Sequence, residues 1–120
     1  MIEYVDVIPP VRKLLSSMLD VKVFGNTWPT NINNILPGVL VRTTGGNDYT
    51  RIQLVARAND DITAMQTVIQ AMNLLERNAA NIQGLRIVWL EREANPVSTP
   101  DVDTGKPEAW CFMRMEHLEA

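Results

Sequence analysis

Residues 49–84 read YTRIQLVARANDDITAMQTVIQAMNLLERNAANIQG, and this stretch decides the fold of the 120-residue chain. Over residues 49–58 apolar and polar side chains alternate, with only Val55 out of step. This alternation predicts a strand that buries one face and leaves the other wetter. The apolar series is Ile52, Leu54 and Ala56, and the polar series is Arg51, Gln53 and Arg57.

A long amphipathic helix is predicted directly after this strand. Asn59-Asp60-Asp61 supplies its N-terminal cap, because a carboxylate there accepts unpaired backbone N–H groups and complements the helix dipole. Gly84 permits a left-handed stop beyond its end. We expect the helix to span Asp61–Asn81 and to pack on one face of a sheet. Its apolar stripe is Met65, Val68, Ile69, Met72, Leu75 and Ala79.

Shorter elements flank this strand–helix pair, and together they predict a single α+β domain over residues 1–120. The expected order is α-β-β-β-α-β-β, with a mainly antiparallel sheet and the long helix on one face. Gly45-Gly46-Asn47-Asp48 is a turn that joins two strands into a hairpin. The further predicted elements are a helix at Val11–Leu19 and strands at Val21–Phe24, Val39–Thr43, Tyr49–Ala58, Leu85–Glu93 and Ala109–Leu118.

The strand Leu85–Glu93 and the final strand are expected to contribute tryptophans to the core. Leu85–Glu93 is apolar on both sides near its middle, which favours an interior position in the sheet or an oligomer contact. We therefore expect Trp89 and Trp110 to be buried. In the final strand, Trp110 and Phe112 are expected on one face, with Cys111 and the methionines that follow it on the other.

Two loops carry the candidate interaction residues. Gly25–Gly38 is rich in Asn, Pro and Gly, and Trp28 within it is a candidate interface anchor. Ala94–Glu108 holds three prolines, which are expected to keep it out of the sheet and mobile in the isolated subunit. We expect it to serve as an assembly contact, in which Asp101 and Asp103 pair with an arginine of a neighbouring subunit, and the alternative is an idle surface loop. The arginines proposed for this pairing are Arg51 and Arg57.

Composition and charge exclude several classes of protein. The formal net charge is −3, from 14 acidic and 11 basic side chains, which argues against tight binding of DNA or RNA. No apolar run is long enough to cross a bilayer, so no membrane partner is expected. Cys111 is the single cysteine, so an intramolecular disulfide cannot form.

No catalytic, cofactor-binding or metal-binding residue set is predicted, and we expect the protein not to be an enzyme. His117 is the only histidine, and Cys111 lies six residues earlier on the same predicted strand. At roughly 3.3 Å per residue the two side chains are about 20 Å apart, too far for a nucleophile–base pair. We expect His117 on the surface and Cys111 half-buried. Asp101, Asp103 and Gly105 lack the remaining ligands of a calcium loop and are interpreted as a turn.

The order of elements resembles that of the tail terminator proteins of long-tailed, non-contractile bacteriophages. The resemblance implies an α+β subunit that assembles into a ring, typically a hexamer. That ring would cap the tube of major tail protein and dock to the head connector, and DNA would pass through its hole without specific binding. The likeness spans nearly the whole chain and is carried by the helix Val11–Leu19, the segment Leu36-Pro37-Gly38-Val39-Leu40-Val41, the strand–helix step Ile52–Leu75, and the loop Pro100-Asp101-Val102-Asp103-Thr104-Gly105 before an aromatic last strand.

The resemblance further implies a structural virion protein located in the host cytoplasm during assembly and then in the virion tail. Two alternatives stay open at this point: another phage neck or minor tail protein, and a protein-interaction module unrelated to phages. A small enzyme or ligand-binding domain would need convergent polar groups in a pocket, and the sequence offers no candidate set.

Overall fold

A computed structural model describes residues 4–119, without the side chains of Val88 and Glu119. Two α-helices and six strands form a two-layer structure, which confirms the predicted α+β class. One-turn 3₁₀ helices occur at Ile32–Asn34 and Ala79–Asn81. The elements in chain order are α1 (Ile8–Met18), β1 (Lys22–Gly25), β2 (Gly38–Gly45), β3 (Thr50–Arg57), α2 (Asp61–Asn78), β4 (Leu85–Arg92), β5 (Val97–Pro100) and β6 (Pro107–Glu119).

The six strands form one sheet in the order β1-β2-β3-β6-β4, and β5 also pairs with β6. Only β1 and β2 run parallel; the other pairs are antiparallel, as predicted. β4 and β5 lie end to end along the same side of β6, β4 against residues 113–119 and β5 against residues 107–110. The long strand β6 therefore joins β3 to every strand on its far side.

Both helices pack on one face of the sheet and enclose an aliphatic core. The core contains no Phe, Trp or Tyr among its buried members, which are Val, Ile, Leu, Ala, Met and Cys side chains. Its sheet side is built from alternate residues of three central strands, as a period of two requires. These residues are Val39 and Val41 of β2, Ile52, Leu54 and Ala56 of β3, and Ala109, Cys111, Met113 and Met115 of β6.

The long helix begins where the sequence predicts, at an aspartate cap. Asp60 accepts hydrogen bonds from the Thr63 backbone N–H and from its hydroxyl, both at 2.8 Å. These bonds lower the pKa of Asp60 and fix the first turn. Regular α-helix ends at Asn78, and the last predicted residues form the 3₁₀ turn Ala79–Asn81.

The buried stripe of α2 differs from the predicted one in one respect. Val68, Met72 and Leu75 are buried as expected, whereas Ile69 is 37% exposed. Ala64 and Ala71 are fully buried and let the helix approach the sheet closely, so the contact line is centred on their row. Successive residues are about 100° apart around a helix, so Ile69, which follows the buried Val68, points to the side of the contact line and is partly exposed.

Of the two alternatives for β4, an interior position or an oligomer contact, the structure excludes the first. Among the described strands only β6 pairs with β4, so β4 is an edge strand, and the oligomer contact stays a prediction. The prediction that Trp89 is buried is wrong. Trp89 is 53% exposed and not in the core. The cause is a β-bulge between Ile87 and Trp89, which the register with β6 reveals. Ile87 faces the helices, and the extra residue turns Trp89 to the opposite face, where strict alternation would have kept it with Ile87.

The predicted loop Ala94–Glu108 contains a strand, so the expectation that it stays out of the sheet is wrong. β5 pairs with the start of β6, and β6 begins at Pro107, two residues before the predicted start. Pro100 lies opposite Pro107 at the end of this ladder. Pro96 precedes β5, so the prolines border the strand, where a missing N–H removes no bond within it.

Candidate functional site

The face of the sheet opposite the helices, here called the open face, collects most of the aromatic side chains. Six of the chain's seven aromatic residues lie on it or against it; the other is Tyr4, before α1. Each strand contributes the residues that alternate with its core residues. The six are Phe24, Trp28, Tyr49, Trp89, Trp110 and Phe112.

The pairing of β3 with β6 sets the side-by-side order of this face. Arg57 lies opposite Glu108, Val55 opposite Trp110, and Gln53 opposite Phe112. The Trp110 and Phe112 rings meet edge to face with centroids 5.3 Å apart. The Trp110 indole N–H donates to Thr99 Oγ1 of β5 at 2.9 Å. This contact ties β5 to the open face.

Two arginines stack closely on aromatic rings of the open face. The guanidinium carbon of Arg51 lies 3.7 Å from the centre of the Phe112 ring, and that of Arg114 lies 3.9 Å from the Tyr49 ring. Arg51 also bonds Glu93 at 2.8 Å. Stacking and ion pairing hold these long side chains flat, so less conformational entropy is lost when a partner covers them.

Arg57 is the buried centre of the site, with only 7% of its surface exposed. Its guanidinium lies 2.9 Å from Glu108 and 3.5 Å from Asp101, and it also donates to Asn33 Oδ1 at 3.2 Å. The guanidinium carbon of Arg57 is 5.1 Å from the centre of the Trp28 ring. Arg57 therefore pairs with Asp101 and Glu108 within the chain, and the pairing of Arg57 with an aspartate of a neighbouring subunit stays a prediction.

The turn between β5 and β6 is organised by Asp101. Its carboxylate accepts bonds from the Thr104 hydroxyl at 2.6 Å and the Thr104 N–H at 2.9 Å, and these bonds lower the pKa of Asp101. Gly105 completes the turn with a φ of 72°, a left-handed conformation that glycine adopts at little cost. Within residues 4–119 no group of three or more His, Cys, Asp or Glu side chains is arranged to hold a metal ion. Asp103 is exposed in this turn, and it forms no ion pair with any side chain among residues 4–118.

A cleft of about 450 Å³ opens on this face between the loop after β1 and the β5–β6 turn. Leu40 and Val55 lie beneath it, and Trp28 and Trp110 border it. Arg42 also borders it, and its Nε donates to Gln53 Oε1 at 2.7 Å. The cleft therefore offers aromatic rings and a guanidinium to a bound segment of a partner.

Gly38 lets the loop with Trp28 lie against the sheet. A Cβ at Gly38 would be 3.0 Å from Ile32 Cδ1 and 3.3 Å from the Trp28 ring. Ile32 is buried in this contact, and the edge of the Phe24 ring meets Trp28 with centroids 6.0 Å apart. A side chain at residue 38 would push this wall of the cleft outward.

Cys111 and His117 both lie on the helix side of β6. The Cys111 thiol is fully buried and not half-buried as predicted, and burial raises its pKa to about 12. His117 is half-buried and not a surface residue: its Nε2 lies 2.9 Å from Thr50 Oγ1, and burial lowers its pKa. His117 Nδ1 has no hydrogen-bond partner among the described residues. Because its raised pKa keeps the Cys111 thiol protonated near neutral pH, Cys111 is a poor nucleophile.

Sequence reasoning found part of this site. The structure brings together Trp28, Arg57 and Asp101, places Arg51 on the same face, and leaves Asp103 outside. Reasoning from the sequence missed Glu108, Glu93 and the arginine–aromatic stacks. The signal for Glu108 and for the aromatic partner Phe112 was the alternation in β6, where Glu108, Trp110, Phe112 and Arg114 fall on one face; no such signal marked Glu93.

Comparison with protein-family models and with curated proteins finds no match for this chain. No helix within residues 4–119 is long and apolar enough to cross a membrane.

Proposed function

We propose that this chain is a structural virion protein, the subunit of a ring, typically hexameric, that caps the tail tube of a long non-contractile phage tail and joins the tail to the head connector. Its partners are further copies of itself, the major tail tube protein and the connector. The resemblance of the sequence to tail terminator proteins supports this proposal. The two-layer α+β fold is the kind of subunit that the resemblance implies.

The observation that carries the proposal is the composition of the open face. Trp, Tyr, Phe and Arg are the residues most enriched at the centre of protein interfaces. Here they form separate groups of packed side chains on a face that neither α-helix covers, while the described core contains none of them. A subunit that assembles into a ring needs a surface of this composition to contact its neighbours.

The protein acts by assembly and not by catalysis in this proposal. The thiol of Cys111 is buried with a raised pKa, which supports a packing role for this residue. A net charge of −3 supports a ring through which DNA slides without being held. The location follows from the role: the host cytoplasm during assembly, then the virion tail.

A second candidate is a protein-interaction module unrelated to phages, and the cleft favours it. Arg42 and two tryptophans border a cavity of about 450 Å³, which is large enough for a few side chains of a bound peptide. Such a module would bind one partner per subunit and would not form rings. The number of subunits in the assembly therefore separates the two candidates.

Negative-stain electron microscopy of the purified protein, alone and mixed with tail tubes, tests the proposal. We expect rings with a central hole, and tubes closed at one end by a ring. Arg51→Glu, on the open face, is expected to weaken both, because it reverses a charge in the Phe112 stack. Arg77→Glu in the last turn of α2 makes the same charge change on an exposed residue of the opposite side, and serves as the matched control.

Two outcomes would contradict the proposal. A protein that stays dispersed and leaves tubes open at both ends is not a tail terminator. If Arg51→Glu caps tubes as well as Arg77→Glu does, the open face is not the assembly contact. Circular dichroism of both variants shows that loss of capping does not come from unfolding.

A further inference from the structure

The two edges of the sheet differ in what blocks them. At one edge, β1 is only four residues long, and Arg12 of α1 donates its Nε–H to the Val23 carbonyl at 3.0 Å. At the other edge, β4 has eight residues, and five of them are apolar. Natural proteins shorten or cover exposed edges, because a row of unpaired backbone groups invites another strand. In the middle of β4, the backbone N–H and C=O groups on the side away from β6 have no strand to pair with.

The free backbone groups of β4 belong to Ile87 and Leu90. The Arg92 N–H points away from β6 and donates to Glu76 Oε2 at 2.9 Å, whereas the Glu93 N–H donates to the Phe112 carbonyl of β6 at 2.9 Å. Pairs that are hydrogen-bonded alternate with pairs that are not, so Leu90 also turns its N–H and C=O outward.

Ile87 belongs to the same outward series. The partners of Arg92, Leu90 and Ile87 on β6 are Met113, Met115 and His117, which are alternate residues. The bulge absorbs the odd residue between Ile87 and Leu90 and keeps both on this series. At the ends of the strand, Glu76 occupies the Arg92 N–H and the Ile82 carbonyl accepts from Leu85 N–H at 3.4 Å.

We infer that β4 pairs with β4 of a second copy of this chain, antiparallel and about a two-fold axis that passes between residues 88 and 89. In this register Ile87 of one copy lies opposite Leu90 of the other, and each such pair exchanges both N–H···O=C bonds. Arg86 lies opposite Glu91, so opposite charges meet on each side of the axis. Trp89 of each copy lies beside the axis on the open face.

The bulge is what makes this register possible. In a strand without a bulge, residues 86 and 91 point to opposite faces and cannot lie opposite each other in an antiparallel pair. Here Arg86 lies across from Leu118 and Glu91 from Arg114, which are alternate positions on the open side of β6. Both side chains are exposed, and neither forms an ion pair with any side chain that the structure describes.

The inference does not depend on the phage role. It concerns the β4 edge, whereas the proposed ring contacts concern the open face. Arg86, Trp89 and Glu91 of β4 belong to both surfaces, whereas the capping test changes Arg51 of β3. The dimer test is a measurement of association in solution, and the test of function is the capping of tubes. The dimer can therefore be refuted while the proposed function stands, and the proposed function can be refuted while the dimer stands.

Sedimentation equilibrium of the intact protein, diluted from the millimolar to the micromolar range, tests the inference. The wild type is expected to show self-association by β4. Arg86→Glu and Glu91→Arg are each expected to raise the dissociation constant about tenfold or more, because each places like charges opposite on both sides of the axis. Lys22→Glu, at the exposed start of β1, is the matched control and is expected to leave the constant unchanged.

Mixing the two charge variants is the decisive experiment. In the two-fold register a heterodimer of Arg86→Glu with Glu91→Arg has opposite charges at both pairs, so the mixture is expected to associate as tightly as the wild type. Failure of the mixture to associate, with both variants folded, would overturn the two-fold register. A wild type that stays monomeric throughout, or an association constant that Arg86→Glu does not change, would overturn the β4 contact itself.

Discussion

The two faces of the sheet come from the same strands but use different side chains. Toward the helices, β3 and β6 present Ile52, Leu54, Met113 and Met115, all fully buried. Toward the open side, the residues next to them present arginines, carboxylates and aromatic rings. The comparison teaches that burial and stability reside mainly on the first face, which leaves the second free to be selected for contact with partners.

The strongest test of this contrast is a charge on each side of α2. Met72, which is 1% exposed, faces the sheet, and Met72→Asp is expected to abolish folding, because it places an unpaired carboxylate in an apolar core. Ile69→Asp, three residues earlier on the exposed side, is expected to fold normally. Thermal melts followed by circular dichroism measure both. A cooperative melt of Met72→Asp near the wild-type temperature would refute the assignment of the buried stripe.

Neighbouring residues of β6 test the two faces within one strand. Met113→Ala is expected to cost about 2–5 kcal/mol of unfolding free energy, since it opens a cavity between the sheet and the helices. Phe112→Ala, on the half-exposed open side, is expected to cost clearly less, because solvent and the Arg51 side chain can fill the space. Urea denaturation gives both values. Equal losses would show that the open face contributes as much to stability as the core.

Arg57 is the residue of the open face that is expected to contribute most to stability. Arg57→Ala is expected to cost about 3 kcal/mol, since it leaves the half-buried carboxylates of Glu108 and Asp101 without their partner. Arg51→Ala removes a more exposed pair with Glu93 and is expected to cost less than about 1 kcal/mol. If urea denaturation shows equal losses of unfolding free energy for the two variants, the buried ion pairs of Arg57 contribute no more to stability than the exposed pair of Arg51.

His117 predicts a smaller, pH-dependent effect on the helix side. Burial lowers the pKa of His117 in the folded state below its ordinary value of 6.5, so the unfolded chain binds the proton more readily. Stability is therefore fully present above the unfolded pKa and is lost as the pH falls toward the folded pKa. Between about pH 7.5 and about pH 5.5, which bracket the ordinary histidine pKa, the melting temperature of the wild type is expected to fall.

His117→Gln provides the comparison, because glutamine can still bond the Thr50 hydroxyl but does not titrate. The variant is expected to show a flatter profile over the same range. Carboxylates with lowered pKa values, such as Glu76 beside Arg92, lose their contribution only at lower pH and do not obscure this range. A decline as steep as that of the wild type would assign the pH dependence to other groups.

Much of the fold could be predicted because its signals are local. The alternation in residues 49–58 and the Asp60 cap each act within a few residues, and both elements appear where expected. That Trp110 and Phe112 share one face of β6 was also predicted, because alternation along a strand needs no partner. The predicted burial of Trp110 in the core is wrong, since this is the open face and Trp110 is only half-buried there. Part of the candidate site was predicted for the same reason: Trp28, Arg51 and Arg57 stand out in the sequence as aromatic or charged residues beside apolar ones.

The remaining features depend on contacts between distant parts of the chain. The bulge that turns Trp89 outward is a property of the register between β4 and β6, and the sequence of β4 alone carries no sign of it. β5 forms because Val97–Pro100 finds an unpaired stretch of β6, although its prolines argue against a strand. Arg57 pairs with Asp101 because the β5–β6 turn returns to the start of β6 beside the end of β3.

The class of fold, the order of its main elements and the separation of Cys111 from His117 along one strand follow from local patterns, since periodicity, capping residues and spacing are properties of consecutive residues. Which face is open, which edge is unpaired and which carboxylate each arginine binds become visible in three dimensions alone. Those features depend on strand register, and register is set by pairing energies summed over residues that are far apart in the sequence.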